Sequence, residues 1–316
     1  MDHAVDLPVV EPMLATPSTT LPPDRGFAAE AKWDGIRCIA RISRAGVRLS
    51  GRHGGDLTGR YPEIAAALAE LPLDRTTLDG ELVQLDEQGR PSFSLLQQRI
   101  HLTRPEAVQR LARARPVTFV VFDVLHLEEP TLQLPYVRRR ELLAGLELGG
   151  ARIKAPPHWT QDGAAAFAWT AEHGLEGVVA KRLQSRYTPG TRTADWIKVK
   201  HVRTVDIVIG GWIPGGPDGA LVKSLLCGVP ERGGLRYVGN VGTGFAQAER
   251  RALAAVLRRL ESARMPFIGT LPPPRRGDVV HWVRPVLGAE VQYQEWTRPE
   301  RRLRHPVWRG LREPGP

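Results

Sequence analysis

A change of texture near Thr204 constrains the fold of this 316-residue chain more than any other feature. Before it, β-rich runs at Ile36–Ile42, Thr77–Leu85, Val117–Leu125 and Gly177–Lys181 are interspersed with alanine- and leucine-rich helical stretches. Those helical stretches fall at Glu63–Glu70, Glu106–Ala114, Arg138–Leu146 and Asp162–His173, and Tyr61-Pro62-Glu63 carries the proline and acid of a helix start. Strands and helices do not alternate regularly, and no repeat of about 20–50 residues is present. The pattern predicts an α+β fold rather than a doubly wound parallel sheet. After Thr204 come strand-like runs at Val205–Trp212, Ser224–Val229, Gly234–Val241, Asp278–Val283 and Ala289–Trp296, with one helix, Gln247–Leu260. Short strands separated by glycine and proline, with a single helix, predict a small β-barrel such as an OB-fold. The expected domains are therefore 1–203 and 204–316. Thr16–Thr20 and the proline-rich stretch near Pro272 are expected to be solvated connections.

Composition narrows the class. Two cysteines, Cys38 and Cys227, exclude a disulfide scaffold and a four-cysteine zinc site, and suit a reducing cytosol. No apolar run approaches membrane-spanning length, and MDHAVDLPVVEP lacks the basic start and apolar stretch of a signal peptide. A net charge of +10 points to polyanionic partners. That charge is uneven, since residues 204–316 hold 17 basic and 10 acidic residues.

The basic residues comprise 38 arginines and only six lysines: Lys32, Lys154, Lys181, Lys198, Lys200 and Lys223. Either side chain serves as surface charge, but only lysine has an amine that can deprotonate and act as a nucleophile. A chain so rich in arginine is expected to keep lysine where arginine cannot substitute. Four of the six lie in short motifs: KWDGIR at 32–37, EGVVAKR at 176–182 and WIKVK at 196–200. In a strand, Lys198 and Lys200 share a face, as do Asp79 and Glu81 in LDGELV at 78–83. Asp79 beside Glu81 suggests a paired-carboxylate metal site. Trp33 is expected to pack in the core. Lys154 and Lys223 read as surface charge, and Glu249-Arg250-Arg251 with Arg258-Arg259 as an exposed helix face, with DNA contact as the alternative.

These motifs, taken in order with SGRHGGDLTGRYPEI at 50–64, FDVL at 122–125 and LRHPVWRGLR at 303–312, resemble covalent nucleotidyltransferases. More narrowly, they resemble ATP-dependent DNA ligases of the bacterial, end-joining-associated type. The resemblance runs from Pro12-Met13-Leu14-Ala15 to the end of the chain. It implies a nucleotidyltransferase (adenylation) domain over 1–203 and an OB-fold domain over 204–316. It implies Lys32 as the covalent carrier of AMP and Asp34 as a helper in later steps, unless Asp34 only orients the turn at Gly35. It also implies Glu30 against adenine, Phe122 stacked on the ring, and Arg37, Arg52 and Arg192 on ribose or phosphate. Lys181, Lys198 and Lys200 would surround the phosphates. Glu81 and Glu176 would hold Mg²⁺, with Mn²⁺ as a substitute. Arg309 and Arg312 would face the outer phosphates of ATP. The family tail Arg-x-Asp is here Arg312-Glu313-Pro314, so either Glu313 takes part of that role or the first step leans more on Arg309 and Arg312.

Physical chemistry supports those residue types independently. A lysine amine attacking the α-phosphorus of ATP divides one hard step into easier ones. Lys32 must be neutral to attack, and like charge from Lys198 and Lys200 is expected to favour that form. Hard carboxylate oxygens suit Mg²⁺, which keeps several waters and binds phosphate. The implied reaction is sealing of 3′-OH/5′-phosphate nicks in duplex DNA, through lysyl-AMP and DNA-adenylate, in repair or break joining. The implied setting is a monomer clamped on DNA in the nucleoid-associated cytoplasm, without membrane, and with a Ku-like end-binding partner. No added DNA-binding domain before Met13 and no polymerase or nuclease module is expected. RNA ligases and capping guanylyltransferases share several motifs, and an inactive nucleic-acid-binding protein is the alternative from another class.

Overall fold

The computed structural model describes residues 7–100, 102–297 and 299–312. Glu313 and Pro314, on which the expected departure from the family tail rests, lie outside the described residues. The chain divides between His201 and Val202 into two compact units.

The first unit is α+β, built on two sheets. One has five strands in the order Leu14–Ser18, Arg192–Lys200, Gly177–Arg182, Phe27–Lys32, His158–Thr160. The other runs Gly46–Gly51, Ile36–Ser43, Thr76–Val83, Thr118–Leu127, Glu129–Pro130, with Ile153–Lys154 also paired to Thr118–Leu127. Apolar residues of the second sheet, among them Cys38, Ala40, Leu78 and Val121, bury against Tyr61, Ile64 and Leu68 of the helical layer. On the five-stranded sheet, Ala29, Val178 and Val199 pack against Ala166 of the Gly163–Glu172 helix. Asp162 caps that helix by accepting from the Ala165 amide at 3.0 Å. A smaller cluster of Met13, Ile39, Leu125, Tyr187 and Trp196 joins the inner faces of the two sheets.

Glycine is demanded where strands approach closely. A Cβ on Gly35 would stand 2.2 Å from the Leu82 carbonyl oxygen, so the turn after Asp34 can pass only as glycine. The first strand, Leu14–Ser18, corrects the expectation of a solvated connection at Thr16–Thr20. It pairs in parallel with Arg192–Lys200, and Thr16 Oγ1 donates to the Thr193 carbonyl at 2.7 Å.

In the second unit the strand order is Phe267–Ile268, Gly234–Val241, Leu221–Glu231, Arg203–Gly215, Gly288–Tyr293, Val307–Arg312, with His281–Trp282 paired beside Arg203–Gly215. Pairing follows an open path; among the described residues no ladder closes it into a ring. The Gln247–Arg259 helix buries Leu253, Ala254 and Leu257 in a core with Trp212, Leu225, Val291 and Trp308. The expected strand Asp278–Val283 contracts to His281–Trp282. The helix face expected to be exposed is partly tethered. Arg250 donates to the Gly242 carbonyl at 2.7 Å, Arg258 to Gly219 at 2.8 Å, and Glu249 accepts from the Trp308 indole at 2.6 Å. No helix among the described residues is long and apolar enough to cross a membrane.

Candidate active site

A cavity of about 280 Å³ opens in the first unit, lined by residues of both its sheets. Glu30, Lys32, Arg37, Arg52, Glu81, Phe122, Lys181, Arg192 and Lys198 all line it. Asp34, Glu176 and Lys200 are not among its lining residues, and Arg309 and Arg312 belong to the second unit. The lining is polarised. Phe122, Val179 and Trp196 form an apolar part, whereas Lys32, Arg52, Arg192 and Lys198 supply positive charge.

Lys32 ends the Phe27–Lys32 strand and pairs in register with Gly177, which in turn pairs with Lys200. This cross-strand row sets Lys32 and Lys200 on either side of Glu176, and both amines bond its carboxylate. Lys32 therefore has a carboxylate in contact, in addition to the like charge of Lys198 and Lys200 that was expected to favour its neutral form. Burial pushes the Glu176 carboxyl up, but Lys32 and Lys200 outweigh it and hold the group below its ordinary range. Like charge acts on Lys198: burial first, then Lys200, Lys32 and Arg192, push its amine below the ordinary lysine range.

Glu81 lies opposite Arg37 in the ladder between Ile36–Ser43 and Thr76–Val83. Burial raises its carboxyl to about 7, against the lowering influence of Arg37 and Lys32. Asp79, on the same strand, has another task. It is fully buried and grips Arg37 at two points, Nε at 2.5 Å and Nη2 at 2.6 Å, while the Tyr187 hydroxyl donates to it at 2.7 Å. Asp79 is thus spent on holding Arg37, and the suggested Asp79–Glu81 metal pair is corrected. Arg37 in turn lies 4.7 Å from the Phe122 ring centroid.

Lys181 lines the cavity as well. It is buried, forms an ion pair with Glu30 at 2.7 Å, donates to the Phe122 carbonyl at 3.3 Å, and lies 4.3 Å from the Trp196 ring centroid. Its amine is thus committed to Glu30 and to aromatic faces. Glu30 also accepts from the Tyr136 hydroxyl at 2.6 Å, and Arg140 stands 3.8 Å away. Burial pushes Glu30 up, but Lys181, Arg140 and Tyr136 together hold it below the usual carboxylate range. Sequence reasoning missed Tyr136, Arg140 and Tyr187. Trp33, expected in the core, is half-buried and lines both this cavity and a second one of about 400 Å³ with Trp159 and Trp169. Arg192 bonds the Ala15 carbonyl, Arg309 bonds Gln292, and Arg312 pairs with Glu290.

The donor set bears on a divalent cation. Among the described residues no group of three or more His, Cys, Asp or Glu side chains gathers. Glu176 contacts Lys32 and Glu81 lines the same cavity, which fits a hard ion that completes its shell with phosphate oxygens and water.

A cavity that combines an apolar part, a row of cations and a lysine amine is of the kind a covalent nucleotidyltransferase needs. Residues 12–200 match the family "ATP dependent DNA ligase domain" and residues 218–314 match "ATP dependent DNA ligase C terminal region". The chain belongs to the ATP-dependent DNA ligases, with an adenylation fold followed by an OB-fold region. It is 43% identical over 304 residues to the multifunctional non-homologous end joining protein LigD of Mycobacterium bovis, covering 95% of this chain and 38% of that protein. It is 33% identical to DNA ligase C1 of Mycolicibacterium smegmatis, covering 98% and 93% of the two chains. The solved ligase domain from M. tuberculosis LigD is 42% identical, with a TM-score of 0.55 over 96% of this chain and 95% of that one.

Proposed function

We propose that Lys32 is the nucleophile and that the reaction begins when its Nζ attacks the α-phosphorus of ATP. An N–P bond forms, the bond between the α-phosphorus and the bridging oxygen breaks, and pyrophosphate leaves with the electron pair. The ammonium must first give its proton to water; the Glu176 carboxylate, held ionised by Lys32 and Lys200, orients Nζ rather than taking that proton. AMP then passes to the 5′-phosphate of a nick, and the 3′-hydroxyl displaces it, forming the phosphodiester. Asp34 serves those later steps. Lys198, Arg52 and Arg192 neutralise charge that builds on the phosphates, and Arg37, fixed by Asp79, meets ribose or phosphate. Lys200 acts through Glu176. Bound Mg²⁺ or Mn²⁺ would add charge neutralisation at phosphate, with Glu81 and Glu176 as its protein ligands. We assign this chemistry to residues 1–203, and the grip on nicked duplex DNA to the OB-fold, residues 204–316, with Arg309 and Arg312 turned to the outer phosphates during the first step.

One observation carries this reading: Lys32, at the charged part of the cavity beside Lys198, Arg52 and Arg192, is contacted by the Glu176 carboxylate. The test is incubation with α-labelled ATP and Mg²⁺. A covalent, acid-labile label is expected on the wild type and none on Lys32→Ala; label retained by the variant would move the nucleophile elsewhere. The relatives named for end joining support a role in DNA break repair; a Ku-like end-binding partner, a monomeric state and a place on nucleoid-associated DNA in the cytoplasm are part of the same proposal and rest on the sequence resemblance.

A further inference from the structure

The second cavity of the first unit, about 400 Å³, takes no part in the chemistry proposed so far. The chain builds it where a ladder stops. His158–Thr160 pairs with Phe27–Lys32 as far as Glu30 opposite His158, and the next residue along, Pro157, has no N–H to continue. The gap beyond, beside Ala31 and Trp33, is the cavity. Trp159 and Pro156 line it, and so does Trp169 of the Gly163–Glu172 helix, whose ring lies 5.2 Å from that of Trp159. Among the described residues lining it, Lys154 is the one that carries charge. Lys154 reads in the sequence as plain surface charge, in a chain that otherwise uses arginine for that purpose.

Aromatic faces beside a cation are how proteins hold bases that are not paired: the rings stack and the cation meets phosphate. A duplex does not fit a cavity of this volume, and a paired base is locked in its stack, so the nucleotide that fits is an unpaired one. Position selects DNA as its source. AMP carried on Lys32 passes to a 5′-phosphate, so the nick comes to Lys32, and its neighbours Ala31 and Trp33 line both cavities. We propose that the second cavity is a site for one unpaired nucleotide of the DNA beside the nick, its base stacked on tryptophan and its phosphate met by Lys154. Held there, an extra base stays out of the duplex while the 3′-hydroxyl and 5′-phosphate meet. This inference rests on Lys32 being the nucleophile of the adjoining cavity.

The test uses the full chain and two nicked duplexes, one fully paired and one with a single extra 2-aminopurine nucleotide in the continuous strand opposite the nick. An extruded 2-aminopurine fluoresces and stacking on an aromatic ring quenches it, so wild type is expected to dim the unpaired probe on binding. Trp159→Ala should lose most of that quenching and seal the unpaired nick about tenfold more slowly relative to the paired one. Lys154→Ala should lower the same ratio about threefold, and because Lys154 is exposed it decides the matter if Trp159→Ala does not fold. Both variants should take label from ATP within about twofold of wild type, since neither residue lines the nucleotide cavity. Unchanged quenching and an unchanged sealing ratio in both variants would overturn the proposal. Quenching reversed by an equal concentration of dCMP would assign the cavity to free nucleotides and overturn it as well. Wild type that takes no label from ATP would instead overturn the nucleophile assignment beneath it.

Discussion

The two units treat charge in opposite ways. Among the described residues, the buried Asp, Glu, Lys and Arg side chains all belong to the first unit: Glu30, Asp79, Arg99, Asp123, Arg139, Arg140 and Lys181. In the second unit the ion pairs lie at the surface, Arg236–Glu231 and Arg312–Glu290 among them, although that unit carries most of the excess positive charge. Buried pairs are costly to assemble but fix dipoles and charges before substrate arrives, which is what a site for phosphoryl chemistry needs. Exposed arginines keep their hydration and meet phosphate by displacing condensed counterions. On the function proposed above, the first unit is arranged for preorganisation and the second for gripping phosphate.

That contrast breaks most sharply at the nucleophile. Lys32→Ala should abolish covalent labelling outright while leaving duplex binding within a few-fold of wild type, measured by gel shift beside the labelling assay. Loss of both together would mean that the charge of the first unit also carries the DNA. Next in size is the pair Asp123–Arg139, with side chains 1% and 0% exposed and two contacts at 2.7 and 3.0 Å. Asp123→Ala leaves a guanidinium buried without its carboxylate and should cost about 3–5 kcal/mol in denaturant unfolding.

Much of the site could be read before any coordinates, because its lining residues come in contiguous motifs: Glu30 and Lys32 on one strand, Arg37 at the start of the next, Trp196 and Lys198 on a third. What escaped was whatever depends on pairs distant in sequence. Tyr136 meets Glu30 across 106 residues and Tyr187 meets Asp79 across 108. In the run Tyr136–Glu141, three successive arginines look like solvated charge, yet Arg139 and Arg140 are buried. Two of the overlooked strands have a common cause as well. Leu14–Ser18 contains Pro17 and Val307–Arg312 contains two arginines, and each closes one end of a strand order. Edge strands tolerate proline and charge, so their sequences lose the apolar alternation that marks interior strands.

Duplex binding should follow the surface charge of the second unit. Raising salt from about 50 to 200 mM should weaken affinity at least tenfold, and Arg309→Ala with Arg312→Ala should flatten the slope of log affinity against log salt. An unchanged slope would remove this strand from the DNA interface. Acid should strike the first unit first. His158 is held below its ordinary pKa by burial and by Arg140, so below about pH 6.5 the unfolded chain binds a proton that the folded one resists. Glu30 adds to this lower down: its folded value is depressed, so its stabilisation is present above about 4.5 and is lost as pH falls through the folded value. Glu81, raised to about 7 when folded, works the other way between about pH 7 and 4.5, so the His158 part is read as a difference: in calorimetry between pH 8 and 4, His158→Gln should lose less stability than wild type as pH falls through about 6.5.

The smallest effect is the sharpest check on the contrast. Arg236 and Glu231 approach to 2.5 Å, as close as Arg37 and Asp79 in the cavity, but their side chains are 23% and 41% exposed. Distance alone would rank the two pairs equally. Water solvates the guanidinium and carboxylate of the surface pair in both folded and unfolded states, so the attraction gained on folding is largely cancelled by hydration and by side-chain entropy. Glu231→Ala should therefore cost less than about 1 kcal/mol in denaturant unfolding and lose even that at high salt. A cost comparable to that of Asp123→Ala would mean that contact distance, rather than burial, governs the charges of this molecule, and the division of labour between its two units would fail.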